Sequence, residues 1–156
     1  MNSDHANSLA LSQYMPYMLV NLAKRVSDAC NARYAAPHDI GVAEWRLLAR
    51  LGEHRELNSR GLGEITFMDK SRVSRAIKQL EVKGYAVRRV DSNDNRASYL
   101  SLTTSGRELY HRIVPEALDW EAEFLSALDV REYRNLLQIM SKLESRLDLM
   151  DEDIAE

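Results

Sequence analysis

The chain has 156 residues, of which 45% are hydrophobic and 29% charged, and its net charge is −3. These values are typical of one soluble globular domain, and no run of about 18 apolar residues is present that would span a membrane. The N-terminus lacks the basic and apolar segments of a secretory signal, and the single cysteine, Cys30, cannot form an internal disulfide, so we expect a cytoplasmic protein.

Two helices are predicted in the first third of the chain. From Tyr14 onward, apolar residues recur at spacings of three and four, with Pro16 suited to the first turn. This helix should end near Tyr34, before Pro37. A second helix is predicted from residue 42 to residue 53. Its buried side is expected to carry Trp45, Leu48 and Leu51.

The charge is distributed unevenly along the chain. Residues 58–96 contain nine basic and five acidic side chains, a net charge of +4, which leaves −7 for the rest. A basic middle between acidic flanks is typical of a domain that presents one face to phosphate. The alternative is a basic surface that is merely solvated.

The same segment predicts a helix, a turn and a second, basic helix. Asn58 is a candidate N-cap for a short first helix, and the glycines at 61 and 63 predict close packing against the next helix. Asp69 should cap the second helix, which runs from about residue 70 to residue 83 and ends at Gly84.

The second helix has two different sides. An apolar stripe consists of Val73, Ile77 and Leu80. The opposite side carries hydrogen-bond donors suited to the major groove, where Arg binds guanine and Gln binds adenine. The candidate DNA-binding residues on this helix are Ser71, Arg72, Ser74, Arg75, Lys78 and Gln79.

A β-hairpin is predicted after this helix. Strand-forming residues at 85–90 and 99–103 flank a turn-rich segment at 91–95. Arg96, beside the tip, is well placed to enter the minor groove, and Asp94 can orient its guanidinium. An ordinary surface ion pair is the alternative reading of these two residues.

Two long helices are predicted in the last third. One is capped by Thr103 or Thr104, contains Pro115 and ends near Leu128; the other is capped by Asp129. The last helix has a nearly heptad apolar stripe. Its residues are Tyr133, Leu136, Leu137, Met140, Leu143 and Leu147. Because a small winged helix could not cover this surface, we expect a symmetric homodimer, with an intrachain bundle as the alternative.

The predicted architecture is therefore mostly α (α+β), a winged helix-turn-helix with long terminal dimerisation helices. The whole chain, 1–156, is expected to form one domain. Residues 40–103 would form the DNA-binding lobe, and residues 1–36 and 104–156 the dimerisation helices.

The chain resembles the MarR family of bacterial transcription regulators. The resemblance rests on EWRLLARL, EITFMDKSRVSRAIKQLEVKGYAVR, the Asp94-Asn95-Arg96 tripeptide and LTTSG. It implies a homodimer on a pseudo-palindromic double-stranded operator, repression as the default, and release by small aromatic or phenolic compounds. Many family wings have Arg at the position of Asn95, so one phosphate contact is missing here.

By this resemblance, an effector pocket would lie between the dimerisation helices and the DNA-binding lobe. The candidate lining residues are Tyr14, Tyr17, Arg33, Trp45 and Arg46. An Arg beside aromatic rings suits an aromatic carboxylate. The alternative is that these are core aromatics with the arginines on the surface.

Other classes of function find less support in the sequence. No P-loop, dinucleotide-binding, zinc-protease or nucleophile-elbow motif is present, so we expect neither an enzyme nor a bound cofactor. The four histidines are scattered, and no metal site is expected. Two alternatives stay open: an oxidant-sensing repressor that uses Cys30, and a winged-helix interaction module without DNA binding.

Overall fold

The computed structural model describes residues 9–90 and 98–155, and for residues 59, 60 and 153–155 it describes the backbone alone. The chain divides into two compact units, Met1–Ala117 and Leu118–Glu156. The mostly helical fold class is confirmed. In chain order the elements are α1 (Met15–Cys30), α2 (Val42–Glu53), β1 (Leu57–Asn58), α3 (Ser59–Thr66), α4 (Lys70–Val82), β2 (Ala86–Val90), β3 (Ser98–Leu102), α5 (Thr104–Leu125) and α6 (Val130–Ala155).

A three-stranded antiparallel sheet lies in the first unit, with the strand order β1-β3-β2. In the hairpin, Ala86 is opposite Leu102 and Val90 is opposite Ser98. The sequence did not indicate β1, whose two residues pair with β3. Asn58 directly precedes α3 as predicted, but it also belongs to this short strand.

The core of the first unit is formed by the apolar sides of α2, α3, α4, β3 and the first half of α5. Its fully buried large side chains are Leu47, Leu48, Leu51, Leu62, Leu80, Leu100, Leu109 and Ile113. Of the residues predicted to be buried on α2, Leu48 and Leu51 are confirmed, whereas Trp45 is only half-buried. The core thus holds α4 by one side against the rest of the lobe.

The connection between α1 and α2 is helical for longer than predicted. Regular α-helix ends at Cys30, and a wider turn at Asn31–Ala35 and a tighter one at Ala36–His38 follow. The α-helix ends before Pro37 as expected, but at Cys30 and not near Tyr34. Pro37 occupies an early position of the tight turn, where its missing N–H removes no hydrogen bond. Asp39 then takes a left-handed backbone conformation, with φ of 57°.

Side-chain caps begin the two long helices. Thr103 Oγ1 accepts a hydrogen bond from Gly106 N at 3.1 Å. Asp129 Oδ1 accepts one from Glu132 N at 2.8 Å, and the Glu132 carboxylate accepts one from Asp129 N at 2.8 Å. This reciprocal pair is the predicted capping box. The first of these helices ends at Leu125, three residues earlier than expected.

Apolar side chains lie exposed on two of the helices. On α1 they include Met15, Tyr17, Met18, Leu19 and Leu22, and on α6 they include Leu136, Leu137, Met140, Leu143 and Leu147. No side chain of α6 between residues 130 and 152 is buried within the chain. Within the described ranges, no helix has the length and hydropathy needed to cross a membrane.

Candidate nucleic-acid interface

The two ends of α4 are fixed by local sequence. Asp69 Oδ1 accepts a hydrogen bond from Arg72 N at 2.8 Å, so this carboxylate caps the helix as predicted. At the other end, Gly84 adopts φ of 74°, and Tyr85 N donates to the Leu80 carbonyl at 2.8 Å. A left-handed glycine in this place ends the helix and turns the chain into β2.

The two sides of α4 are as the sequence predicted. Val73, Ile77 and Leu80 are at most 4% exposed. The exposed side carries all six residues predicted to bind DNA. They are Ser71, Arg72, Ser74, Arg75, Lys78 and Gln79. The helix therefore presents cations, hydroxyls and an amide on a surface fixed by its buried side.

The cations of α4 lack acidic partners among the described residues. No ion pair within the described ranges involves Lys70, Arg72, Arg75 or Lys78. Arg75 Nε donates a long hydrogen bond, 3.4 Å, to the Ser71 carbonyl of its own helix. The positive charge of this surface is thus not neutralised by the described part of the chain.

The cations that follow α4 are paired instead. Arg88 Nε is 3.1 Å from Glu81 Oε1, and Arg89 Nη2 is 2.9 Å from Glu56 Oε1. The Arg89 guanidinium also lies over the Tyr99 ring, 5.1 Å from its centroid. The charge count alone did not distinguish these arginines from those of α4, because their acidic partners are distant in sequence or on another element.

Asp94 and Arg96, the predicted wing residues, lie outside the described residues. The strands that lead to them are described, and the last described pair is Val90 with Ser98. The minor-groove role of Arg96 and the orienting role of Asp94 therefore stay predictions.

The turn between α3 and α4 contains an unusual residue. Phe67 has φ of 51° and is 93% exposed, whereas its neighbours Thr66 and Met68 are buried. The close helix packing predicted for the two glycines of α3 was wrong. A methyl group at Gly61 would meet open space, and one at Gly63 would make ordinary contacts at 3.7 Å and beyond. The glycines are not required by packing against α4.

A cavity of about 620 Å³ lies beside this turn. Its lining is partly buried and apolar, partly charged. The lining residues are Gly63, Glu64, Met68, Lys70, Val73, Ser74, Ile77 and Arg88. None of the five predicted effector residues lines this cavity.

Trp45 is the predicted effector residue with the most described contacts. Its ring lies 5.5 Å from that of Tyr34, edge to face, and 6.5 Å from that of Tyr110, stacked. Sequence reasoning missed both tyrosines as partners. A side chain at Gly52 would overlap the Tyr110 ring, its added carbon approaching to 2.7 Å, so this glycine leaves room for the cluster.

The other predicted effector residues lie at the surface of the chain. Arg33 and Arg46 are exposed, which agrees with the alternative that these arginines lie on the surface. Tyr14, the residue before α1, and Tyr17, in its first turn, are 43% and 44% exposed. Of these four residues, Arg46 has a charge interaction with the Tyr34 hydroxyl of the ring cluster.

Cys30 is half-buried, and its thiol lies beside the Tyr34 hydroxyl. Burial and this thiol raise the pKa of Tyr34 above its ordinary value, against the opposing effects of the Trp45 indole and Arg46. Within the described ranges, no three His, Cys, Asp or Glu side chains are grouped closely enough to hold a metal ion.

The helix-turn-helix, its exposed donors and the adjoining hairpin define a winged-helix DNA-binding protein. A family model described as the MarR family matches residues 38–97. The FarR regulator of Neisseria gonorrhoeae is 31% identical over 108 residues, which cover 67% of this chain and 74% of that protein. This protein belongs to the MarR family of transcriptional regulators.

Another relative is the transcriptional repressor MprA of Escherichia coli K12, 36% identical over 84 residues, 54% of this chain. The match spans about half of MprA, 48% of its length. These two relatives are both transcriptional regulators.

Solved structures show the same fold. A MarR/EmrR family regulator from Acinetobacter superimposes with a TM-score of 0.81 at 26% identity, over 90% of this chain and 99% of that one. A mutant MarR of E. coli, complexed with operator DNA, gives 0.77 at 22% identity, over 87% and 99%. CouR of Rhodococcus jostii, bound to p-coumaroyl-CoA, gives 0.73 at 22%, over 88% and 94%. The last two likenesses concern the fold alone.

Proposed function

We propose that this regulator represses transcription as a homodimer on a pseudo-palindromic operator, and that a small aromatic or phenolic compound releases it. The observation that carries this proposal is the contrast between the cations of α4, which lack described acidic partners, and the paired Arg88 and Arg89 beside them. A cation that contributes to folding is usually paired when it is near a carboxylate. Cations held unpaired beside hydroxyls and an amide form a surface suited to phosphate and base edges.

Each donor of α4 has a role in this proposal. Arg75, at the centre of the exposed side, would bind guanine in the major groove, and Gln79 would bind adenine. Ser71 and Ser74 would donate to phosphate or to a base edge. Phosphate would attract the remaining cations, which are Lys70, Arg72 and Lys78. Arg96 would enter the flanking minor groove, oriented by Asp94.

A homodimer would present two copies of α4 to DNA. The exposed apolar side chains of α1 and α6 supply the surface that such a dimer needs. A two-fold symmetric protein matches a two-fold symmetric site, with half-sites about 34–36 Å apart along the duplex. The MarR structure with operator DNA supports this mode of binding by its fold.

The effector would bind where the dimerisation helices meet the DNA-binding lobe, against Trp45. The rings of Tyr34 and Tyr110 lie next to that of Trp45, which makes the surroundings of Trp45 aromatic. Arg33 or Arg46 would pair with a carboxylate on the ligand. The CouR structure, bound to an aromatic acyl thioester, supports a ligand of this class. Because the target is chromosomal DNA, we place the protein in the cytoplasm.

The test is a fluorescence-anisotropy titration with DNA from immediately upstream of the gene, and a scrambled duplex as control. We expect tight binding to the upstream DNA alone, and light scattering should give twice the mass of the chain. Aromatic carboxylates and phenols, added one at a time, should lower the anisotropy of the complex. Equal, weak binding to promoter DNA and to scrambled DNA, found for several promoters, would contradict the proposal. A monomeric mass would contradict the proposed homodimer.

A further inference from the structure

We propose that Phe67 is an additional DNA contact, whose ring packs against an apolar part of the operator, either a thymine methyl group or a deoxyribose. The proposal extends the function proposed above and rests on it. It arises from the conformation of Phe67 in the turn between α3 and α4. The folded chain holds this residue in an unfavourable backbone conformation, and no described contact of its ring compensates for that.

The ring makes little contact with its own chain. Phe67 is 93% exposed, the highest value of any large hydrophobic residue described, so burial of its ring does not stabilise the lobe. Its φ of 51° is one that a glycine adopts freely and a bulky side chain rarely does. Folding alone would therefore favour glycine or asparagine at this position.

The residues on either side of Phe67 are nevertheless anchored. Thr66 and Met68 on either side are 7% and 8% exposed. The Thr66 hydroxyl donates to the Leu62 carbonyl, and Met68 N donates to the Gly63 carbonyl at 3.4 Å. With both neighbours anchored, the Phe67 side chain is directed to solvent by the backbone itself.

The ring stands at the end of α4 that a helix-turn-helix brings to the bases. Phe67 is two residues before Asp69, the N-cap of α4, and Lys70, Ser71 and Arg72 follow in the first turn. N-terminal residues of a recognition helix contact base edges, and Phe is among the side chains that contact the thymine methyl group. The cations and the hydroxyl of this first turn favour a partner rich in phosphate, which makes DNA the fitting occupant.

The experiment compares Phe67→Gly and Phe67→Asn with the wild type, since both substitutions suit a left-handed backbone. We expect unfolding temperatures no lower than that of the wild type and operator binding weaker by about tenfold or more, as the loss of a buried Phe contact implies. The matched control is Asp39→Gly, which changes the other described non-glycine residue with positive φ, at 57°, and should leave operator binding unchanged.

An operator duplex with uracil in place of thymine identifies the apolar partner. If the wild type, but not Phe67→Gly, loses affinity for this duplex, the partner is the methyl group; if neither does, it is the deoxyribose. If Phe67→Gly and Phe67→Asn bind the operator as tightly as the wild type, the proposal is overturned. It is also overturned if both variants unfold at a lower temperature than the wild type, or if the mass of the oligomer changes. Failure of wild type to bind any operator would instead overturn the proposed function, and this inference with it.

Discussion

Lys83 Nζ donates a hydrogen bond of 2.8 Å to Glu44 Oε1, which joins the C-terminal end of α4 to the first turn of α2. The other carboxylate oxygen of Glu44 accepts a hydrogen bond from Gly41 N, also at 2.8 Å. Lys83 Nζ donates in addition to the Asp39 carbonyl. The Lys83 and Glu44 side chains are 24% and 13% exposed, so the pair is largely shielded from water. Lys83 is thus a structural cation, although it is one of the nine basic residues of segment 58–96.

Removal of the Lys83 charge should therefore destabilise the lobe. We expect Lys83→Met to lower the free energy of unfolding by about 1–3 kcal/mol, because it leaves the Glu44 carboxylate without its partner. Urea unfolding measures the change, and the double variant with Glu44→Gln should recover part of it. The salt dependence of operator binding should stay as in the wild type; a slope lower by about 0.9 would show that Lys83 contacts phosphate after all.

Arg75→Ala should reduce discrimination between operator and scrambled DNA more than it reduces non-specific binding, because a base contact carries sequence information. The control is Arg88→Ala, which removes a cation paired with Glu81 and should affect both duplexes little. Anisotropy titrations on the two duplexes measure both affinities. Equal losses on both for Arg75→Ala would make it a phosphate contact.

Arg96→Ala should weaken operator binding by about 1–3 kcal/mol without dissociating or unfolding the dimer. The reason is its predicted place at the hairpin tip, where a guanidinium is attracted by the negative potential of a narrow minor groove. Titration of the variant against the operator gives the affinity, and circular dichroism with light scattering controls for folding. An unchanged affinity would remove the wing from the binding mechanism.

Gly106 and Gly61 should respond to the same substitution in opposite directions. A methyl group at Gly106 would overlap the Tyr85 carbonyl, so Gly106→Ala should destabilise the lobe by about 1–3 kcal/mol. A methyl group at Gly61 meets open space within a helix, so Gly61→Ala should stabilise the protein by up to about 1 kcal/mol. Thermal unfolding of both variants measures the changes. Two destabilised variants would mean that α3 has a role in packing which its surroundings do not show.

Tyr34 should make the stability depend on pH in the alkaline range. Its pKa is raised in the folded chain, so above about pH 10 the unfolded chain releases a proton that the folded chain keeps. Stability contributed by the hydroxyl is therefore present at neutral pH and lost as pH rises. Urea unfolding gives the difference in free energy of unfolding between the wild type and Tyr34→Phe. This difference should be smaller at about pH 11 than at about pH 8. The same comparison in a Cys30→Ala background controls for the neighbouring thiol, and a constant advantage would contradict the assignment.

The sequence predicted those parts of the fold that depend on neighbours along the chain. Asp69 and Gly84 mark the ends of α4, Asp129 begins α6 through its capping box, and Val73 lies on the buried side of α4, because each depends on residues within one or two helical turns. The six donors on the exposed side of α4 follow from the same periodicity.

The rest depends on contacts between distant segments. The strand β1 exists because Leu57 lies opposite Leu100, forty-three positions later, and two residues carry no pattern of their own. Glu56 neutralises Arg89 across thirty-three positions, which no count of charges within a segment reveals. The left-handed backbone of Phe67 likewise contradicts its residue type, and such conformations are set by the surrounding structure.

The segment between α1 and α2 receives two long-range bonds at adjacent residues. His38 Nε2 is 3.0 Å from Glu116 Oε1 of α5, and the Asp39 carbonyl accepts the hydrogen bond from Lys83 at the end of α4. Two adjacent residues of one short connection therefore bind two different elements, the end of α4 through a main-chain carbonyl and α5 through an imidazole. These bonds are polar and lie at the surface, so this connection is held in place by contacts that do not depend on the burial of apolar side chains.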